Sequence, residues 1–280
     1  MLINIVSTAN KTFKHIKALG RKNYREKHKE FVIEGVRLLK EALQSHAPIK
    51  AVLVSESFLK NDQNRAFLDK LLMDVNNRPS HSPPPTPHSI YTCNDRMFKE
   101  MTHTETPQGI LAVAAVQSHS LKDITEDHRP FFVYCDAVQD PGNMGTIIRT
   151  ADAAGADAVI VSGGCADIYN PKTVRSTMGS LFHLPVIKVE DSRAALSDLK
   201  ERGLKVIAGH LCATAKNHFE VDMKRGLVLV IGNEANGVSK PIVELSDYIV
   251  KIPILGRAES LNAGIASGIL MYEIVRQRMK

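Results

Sequence analysis

The stretch Leu227-Val228-Leu229-Val230-Ile231-Gly232-Asn233-Glu234-Ala235-Asn236-Gly237-Val238-Ser239 decides the fold. Its first five residues are all apolar, with no alternation between the two faces of a strand. Such a strand is buried on both sides, as in a parallel sheet sandwiched by helices. The polar turn that follows is bracketed by glycines, at the strand end where open α/β sheets bind their ligands. Working outward, further strands are expected at 131–138, 157–162, 185–189, 204–210 and 248–254. Helices are expected at 146–154, 191–202 and from about 261 to 279.

The first half has a looser grammar. Strands are expected at 31–33, 49–54 and 110–116, with helical apolar stripes at 36–43 and 64–73. Between them, residues 78–87 carry five prolines in ten positions, which excludes a helix or an interior strand and marks a surface loop or insertion. The polar stretch around 117–129 reads as a linker. The fold class is therefore α/β in two domains: a smaller one over 1–116, and a regular parallel-sheet one over 130–280.

Composition narrows the function. The chain has 280 residues, 44% hydrophobic and 24% charged, with a net charge of +6. The charge is uneven: residues 1–40 hold ten lysines and arginines against three glutamates, a net +7. That excess suits a polyanionic partner, although a solvated helix face would look the same. Arg21, Lys22, Arg25, Lys27 and Lys29 are the candidate phosphate contacts. No apolar run reaches the roughly 18 residues of a membrane span, and the apolar N-terminus is too short for a secretory core. The four cysteines are widely spaced, as in free thiols of a reducing cytoplasm, and no His or Cys spacing suggests a metal. With no Trp and six Tyr, a base-stacking surface is expected to be sparse.

Three loops carry the polar residues a reaction needs. Asp140-Pro141-Gly142-Asn143-Met144-Gly145 follows the first strand of the second half and reads as a tight turn whose backbone N–H groups face an anion at a helix start, with Arg149 close behind. A plain strand–helix turn, with Arg149 in solvent, is the simpler alternative. Gly232 to Ser239 resembles a Walker A loop, but Val238 stands where the lysine must be, which weakens a nucleotide-hydrolysing reading. Glu234 would repel phosphates there; it can instead accept hydrogen bonds or stabilise a helix start. In the third loop, Ser260 and Asn262 flank the start of the last helix, and capping accounts for one of them. Ala263, Gly264, Ala266, Ser267 and Gly268 give that helix a face made for close approach, at about 1 kcal/mol per glycine.

Taken together, Asp140–Gly145 with Arg149, Ile231–Glu234 with Gly237, and Ser260-Leu261-Asn262 resemble the three motifs of the SpoU (TrmH-like) RNA 2′-O-ribose methyltransferases, in order, over about residues 128–280. The first half is similar to the L30e-type substrate-binding domain that often precedes that catalytic domain. The resemblance implies a carboxy-terminal trefoil knot, a homodimer, and S-adenosylmethionine held by Gly232, Ile252 and Leu261 through backbone groups, with Asn233 and Gly237 shaping the pocket. The end of the strand at Ala208–Leu211 would close its adenine side. It further implies Arg149 as the central catalytic residue, supported by Asn143, Glu234, Ser260 and Asn262. The substrate is then structured RNA, and the separate first domain favours ribosomal over transfer RNA. The alternatives are a tRNA 2′-O-methyltransferase and a non-catalytic RNA-binding member of the family.

Overall fold

The computed structural model describes residues 2–76, 89–124 and 129–279. The proline-rich segment at 78–87 lies outside them, as does most of 125–129. The chain divides into two compact units, Met1–Gln117 with Tyr169–Phe182, and Ser118–Ile168 with His183–Lys280.

The first unit contains β1 (Leu2–Asn4), α1 (Lys11–Ala18), α2 (Lys22–His28), β2 (Glu30–Glu34), α3 (Val36–Gln44) and β3 (Ile49–Ser55), followed by α4 (Glu56–Leu59), α5 (Asp62–Asn76), β4 (Ser89–Cys93), α6 (Asp95–Lys99) and β5 (Ile110–Ala115). Its five strands lie in the order β1-β4-β3-β5-β2, with β1, β4 and β3 parallel and β5 antiparallel to both neighbours. One face of the sheet packs on α3 and α5 through Phe31, Ile33, Leu39, Val52, Val54 and Leu68. The other packs on α1 and α6 through Phe13, Ile16, Leu53, Phe98 and Val113.

The segment Tyr169–Phe182, read from sequence as part of the second domain, lies with the first unit. Its helix joins that core at Val174, and Tyr169, Leu181 and Phe182 pack beside it. The Phe31 ring meets Tyr169 with centroids 4.7 Å apart. At the segment's turn, Gly179 (φ +109°) sits where a Cβ would come within 2.8 Å of Glu41, so only glycine suits both backbone and neighbour.

The second unit runs β6 (Phe131–Cys135), α7 (Pro141–Ala153) and β7 (Ala158–Val161). After helix α8 (Pro171–Ser176), which belongs to the first unit, come β8 (Val186–Lys188), α9 (Ser192–Glu201), β9 (Lys205–Gly209) and β10 (Lys216–Asn217). The chain closes with β11 (Leu227–Ile231), α10 (Lys240–Leu245), β12 (Tyr248–Lys251) and α11 (Ala263–Arg278). All seven strands are parallel, in the order β10-β12-β9-β11-β6-β7-β8. The unbroken apolar run Leu227–Ile231 is the central strand β11. Its Leu229 pairs with Val133 on one side and Ile207 on the other, and all five residues are buried.

Two boundaries differ from the sequence reading. The residues Pro141–Gly145 are the first turns of α7, capped by the Asp140 side chain on the Asn143 N–H. At the other end, Leu261 precedes α11, for which Asn262 is the cap, accepting from the N–H groups of Gly264 and Ile265. No helix among the described residues is long and apolar enough to cross a membrane.

Candidate active site

The carboxyl ends of β12, β9, β11 and β6, four adjacent strands, carry the loops singled out above. A glycine-lined turn follows β11. Asn233 and Gly237 exchange both backbone hydrogen bonds at 2.9 Å, and the Asn233 Oδ1 accepts from the N–H groups of Ala235 and Asn236 at 3.0 Å each. At two positions of this turn the fold leaves no room for a side chain. A Cβ on Gly232 would lie 2.2 Å from the backbone of Gly237 and Val238, and Gly237 holds φ +68°. Val238, where a P-loop lysine would stand, is a core residue 3% exposed, so the nucleotide-hydrolysing reading fails on packing as well as on charge.

This turn is stitched to the start of α7. Glu234 accepts from the backbone N–H groups of Gln139 and Asp140 at 3.0 Å each, and from Asn143 Nδ2 at 2.9 Å. The anion at this helix start is therefore the protein's own carboxylate, lying where the exposed N–H groups and the helix dipole favour negative charge. Burial pushes the Glu234 pKa up, but the Asn143 and backbone donors outweigh it and hold the carboxyl below the ordinary glutamate value. Asn143, 9% exposed, also accepts from Asn262 Nδ2 at 2.8 Å, and Asn262 caps α11. A continuous chain from Glu234 through Asn143 to Asn262 thus ties the three loops together. Asn262 both caps and links, so one residue performs two tasks.

The end of β6 needs a strained residue to meet this turn. Ala137 has φ +52°, a conformation that costs a non-glycine residue on the order of 1 kcal/mol. It is held by two hydrogen bonds: its N–H donates to Ser162 Oγ at 3.0 Å, and its carbonyl accepts from Asn233 Nδ2 at 2.8 Å. Nearby, the buried Asp136 carboxylate accepts from the Ser239 N–H at 2.7 Å and anchors the far end of the turn.

Within these loops lies a cavity of about 400 Å³, in the size range of small-ligand sites. All five residues expected to shape a cofactor pocket, Gly232, Asn233, Gly237, Ile252 and Leu261, line it. Glu234 and Ser260 line it too, as does the Gly209–Leu211 strand end. Asn143 and Asn262 stand behind it, and Arg149 is not among its lining residues. The arginine lies on the exposed side of α7.

The sequence reading passed over Lys251 and Glu259, which also line the cavity. A lysine ending a strand and an acid in a loop carry no distinguishing local pattern. It did include the Ala208–Leu211 strand end, whose His210 fixes the turn by accepting from the Val238 N–H through Nδ1 at 3.3 Å. The small-residue face of α11 has two uses. Gly264 and Gly268 admit α7, whose Thr146 and Thr150 methyls would stand 3.1 and 3.7 Å from a Cβ at those positions, while Ala263 and Ala266 face the cavity.

The candidate phosphate contacts divide. Arg21, Lys22, Lys27 and Lys29 are exposed. Arg25 is not: it is 3% exposed, and its guanidinium donates to the Leu19 carbonyl at 2.7 Å. It joins α1 to α2 and is not on the surface an RNA would meet.

Comparison with known proteins decides the family. Residues 130–272 match the SpoU rRNA methylase family, and residues 10–112 an MRM3-like substrate binding domain. This chain belongs to the SpoU family. It is 36% identical to the 23S rRNA (guanosine(2553)-2′-O)-methyltransferase RlmP of Bacillus subtilis over 270 residues, 96% of this chain and 98% of that one. An AdoMet-bound rRNA methyltransferase from Sinorhizobium meliloti superimposes with TM-score 0.85 at 30% identity, covering 98% of each chain. The SpoU methyltransferase AviRb from Streptomyces viridochromogenes, in complex with AdoMet, does so with TM-score 0.83 at 31% identity over 96% of this chain and 98% of that one.

Proposed function

We propose that this SpoU protein transfers a methyl group from S-adenosylmethionine to a ribose 2′-hydroxyl of ribosomal RNA. The observation that carries the reading is the cavity built on Gly232, Gly237, Ile252 and Leu261, with the three motif loops locked around it by the Glu234–Asn143–Asn262 chain. Its fit to the cofactor rests on the glycine cradle, where the Gly232 backbone approaches too closely for any Cβ, and on the mixed apolar and polar lining. Gly232, Asn233, Gly237, Ile252 and Leu261 would hold S-adenosylmethionine, which when bound supplies an electrophilic methyl on a sulfonium.

The chain's own contribution is placement and charge. Transfer needs the ribose oxygen in line with that methyl and deprotonated as it attacks. Glu234 is a poor candidate for taking that proton, because both its oxygens are committed to donors that favour the ionised form. Its task is to fix α7 relative to the turn. Ser260, exposed at the cavity wall, is assigned to the ribose. A guanidinium holds its proton too firmly to act as a base, so Arg149 is assigned the RNA phosphate and the developing alkoxide. Arg149→Lys should then lower kcat while leaving S-adenosylmethionine affinity unchanged; normal turnover would remove the bidentate role.

The homodimer belongs to the same reading. Ile265, Ile269 and Tyr272 form an exposed apolar stripe along α11, and α11 packs on α7, which carries Arg149. A second copy covering this stripe would account for its exposure and would place Arg149 beside the seam. Ile265→Asp should convert a dimer to a monomer in analytical ultracentrifugation. The knot is supported by the path of the chain, which leaves β12 beyond β9 and returns as α11 to pack on α7 and β11. The four free thiols fit a reducing cytoplasm.

The deciding experiment incubates the protein with labelled S-adenosylmethionine and either ribosomal or transfer RNA, then maps ribose methylation by mass spectrometry. Label on a ribose of rRNA is expected. Label confined to tRNA would redirect the substrate, and S-adenosylmethionine binding without transfer to either would leave an RNA-binding protein.

A further inference from the structure

The basic segment carries an aromatic group that its aromatic-poor composition did not lead one to expect. The rings of Tyr24 and His28, one turn apart on α2, stack with centroids 4.1 Å apart and planes inclined by 27°. His15 meets His28 edge-on at 5.2 Å. Tyr24 is tethered: its hydroxyl lies 3.1 Å from His15 Nδ1, and His15 Nε2 lies 2.7 Å from Glu30 Oε2. With the Glu30 carboxylate accepting from Nε2–H, the His15 Nδ1 can accept a hydrogen bond from the Tyr24 hydroxyl. Lys50 stands 3.8 Å from the other Glu30 oxygen. Helix α2 stops directly afterwards, at Lys29 in the left-handed conformation (φ 54°), so His28 ends the helix as an exposed ring.

Cations surround this stack. The Arg21 guanidinium lies 5.9 Å from the Tyr24 ring centroid, and Lys22, Lys27 and Lys29 are exposed on the same short helix and its cap. A tethered, half-buried ring under an exposed one, ringed by positive charge, combines the two elements by which proteins hold unpaired nucleotides: a π-face for the base and cations for the flanking phosphates. We propose that an unpaired base of the RNA substrate stacks on the outer face of His28, extending the His28–Tyr24 stack, with Arg21, Lys22 and Lys27 on the adjoining phosphates. This rests on the RNA-modifying reading above and adds to it a subsite for single-stranded, not paired, RNA. The tether matters because a preorganised ring loses less freedom on binding than a free one.

The test compares two fluorescent RNAs, a stem–loop with an unpaired purine loop and a fully paired duplex of equal length, bound to the full-length protein and read by anisotropy. His28→Ala should weaken binding to the stem–loop by about tenfold and leave the duplex unchanged. His28→Phe, which keeps a stacking face, should restore the stem–loop affinity. Neither should change the salt slope, whereas Arg21→Gln should lower it by about one on both RNAs. Unchanged stem–loop binding by His28→Ala, or an equal loss on both RNAs, would overturn the stacking site while leaving the methyltransferase reading intact. A wild-type protein that binds neither RNA and methylates none would instead sink the reading on which the site rests.

Discussion

The loops around the cavity and the basic helix α2 are both polar, but they are polar in opposite ways. In the loops the central polar groups are committed: Glu234 to three donors, Asn143 to two neighbours, Asn233 to its own turn and to Ala137. On α2 and its caps Arg21, Lys22, Lys27 and Lys29 are exposed, and Lys22 makes a loose 3.9 Å contact with Glu26. Committed groups fix positions to a fraction of an ångström, as a reaction requires. Exposed cations supply affinity for a polyanion without reading its sequence. The molecule separates these tasks along its chain, with geometry in the second half and charge in the first forty residues.

The comparison predicts a hierarchy of effects. The largest should come from Gly232→Ala: a methyl 2.2 Å from the Gly237 and Val238 backbone forces the turn apart, and S-adenosylmethionine binding by calorimetry should be lost altogether. Retained affinity would show that the turn is softer than its packing implies. Next is Glu234→Gln, which keeps the shape but offers N–H where N–H groups already converge. A fall in kcat on the order of a hundredfold is expected, with little change in the KM for RNA; an equal loss in both would make Glu234 a substrate contact.

The pH dependence of the same residue follows from its sign. The folded-state pKa lies below the ordinary value of 4.5, so the tie is fully present above that value. It is lost as pH falls through the lower, folded-state pKa. Cofactor affinity should therefore stay level from neutral pH down past 4.5 before it drops, and the glutamine variant should lack that acid limb. The smallest effect belongs to the other region. Changing Arg21, Lys22 and Lys27 together to glutamine should weaken RNA binding uniformly and lower its salt slope by roughly two to three, with cofactor affinity unchanged. A change in cofactor affinity would break the separation of tasks.

The legibility of the sequence follows the same division. Strands β6, β9 and β11 stood out because burial on both faces leaves an unbroken apolar run, a signal that needs no partner to be read. The first turns of α7 did not. Pro141-Gly142-Asn143-Met144-Gly145 has the composition of a loop, and it is helical because the Asn143 N–H meets the Asp140 cap while Glu234, 94 residues beyond Asp140, holds the Asp140 N–H and the Asn143 side-chain amide. Strand β4, short and half-polar beside the prolines, gave no pattern. Arg25 was read as surface charge because an arginine's type reveals nothing about the Leu19 carbonyl that holds it. The motif residues were legible as a set, but their division of labour was not. Only the fold shows Asn143 and Asn262 behind the cavity wall and Glu234 already occupied.

The return of Tyr169–Phe182 to the first unit has a consequence for how the protein can be divided or recombined. The chain passes between the two units three times, near 117, 168 and 182. No single cut can release either unit with its core whole. A fragment beginning at 118 would carry Val174, Tyr169 and Phe182 away from the residues that cover them, and a fragment ending at 117 would leave Phe31 without two of its aromatic neighbours. Fusion of this amino-terminal unit to another catalytic domain would have to bring that fourteen-residue return segment with it. The binding and catalytic halves are thus bound to be inherited, exchanged and lost together.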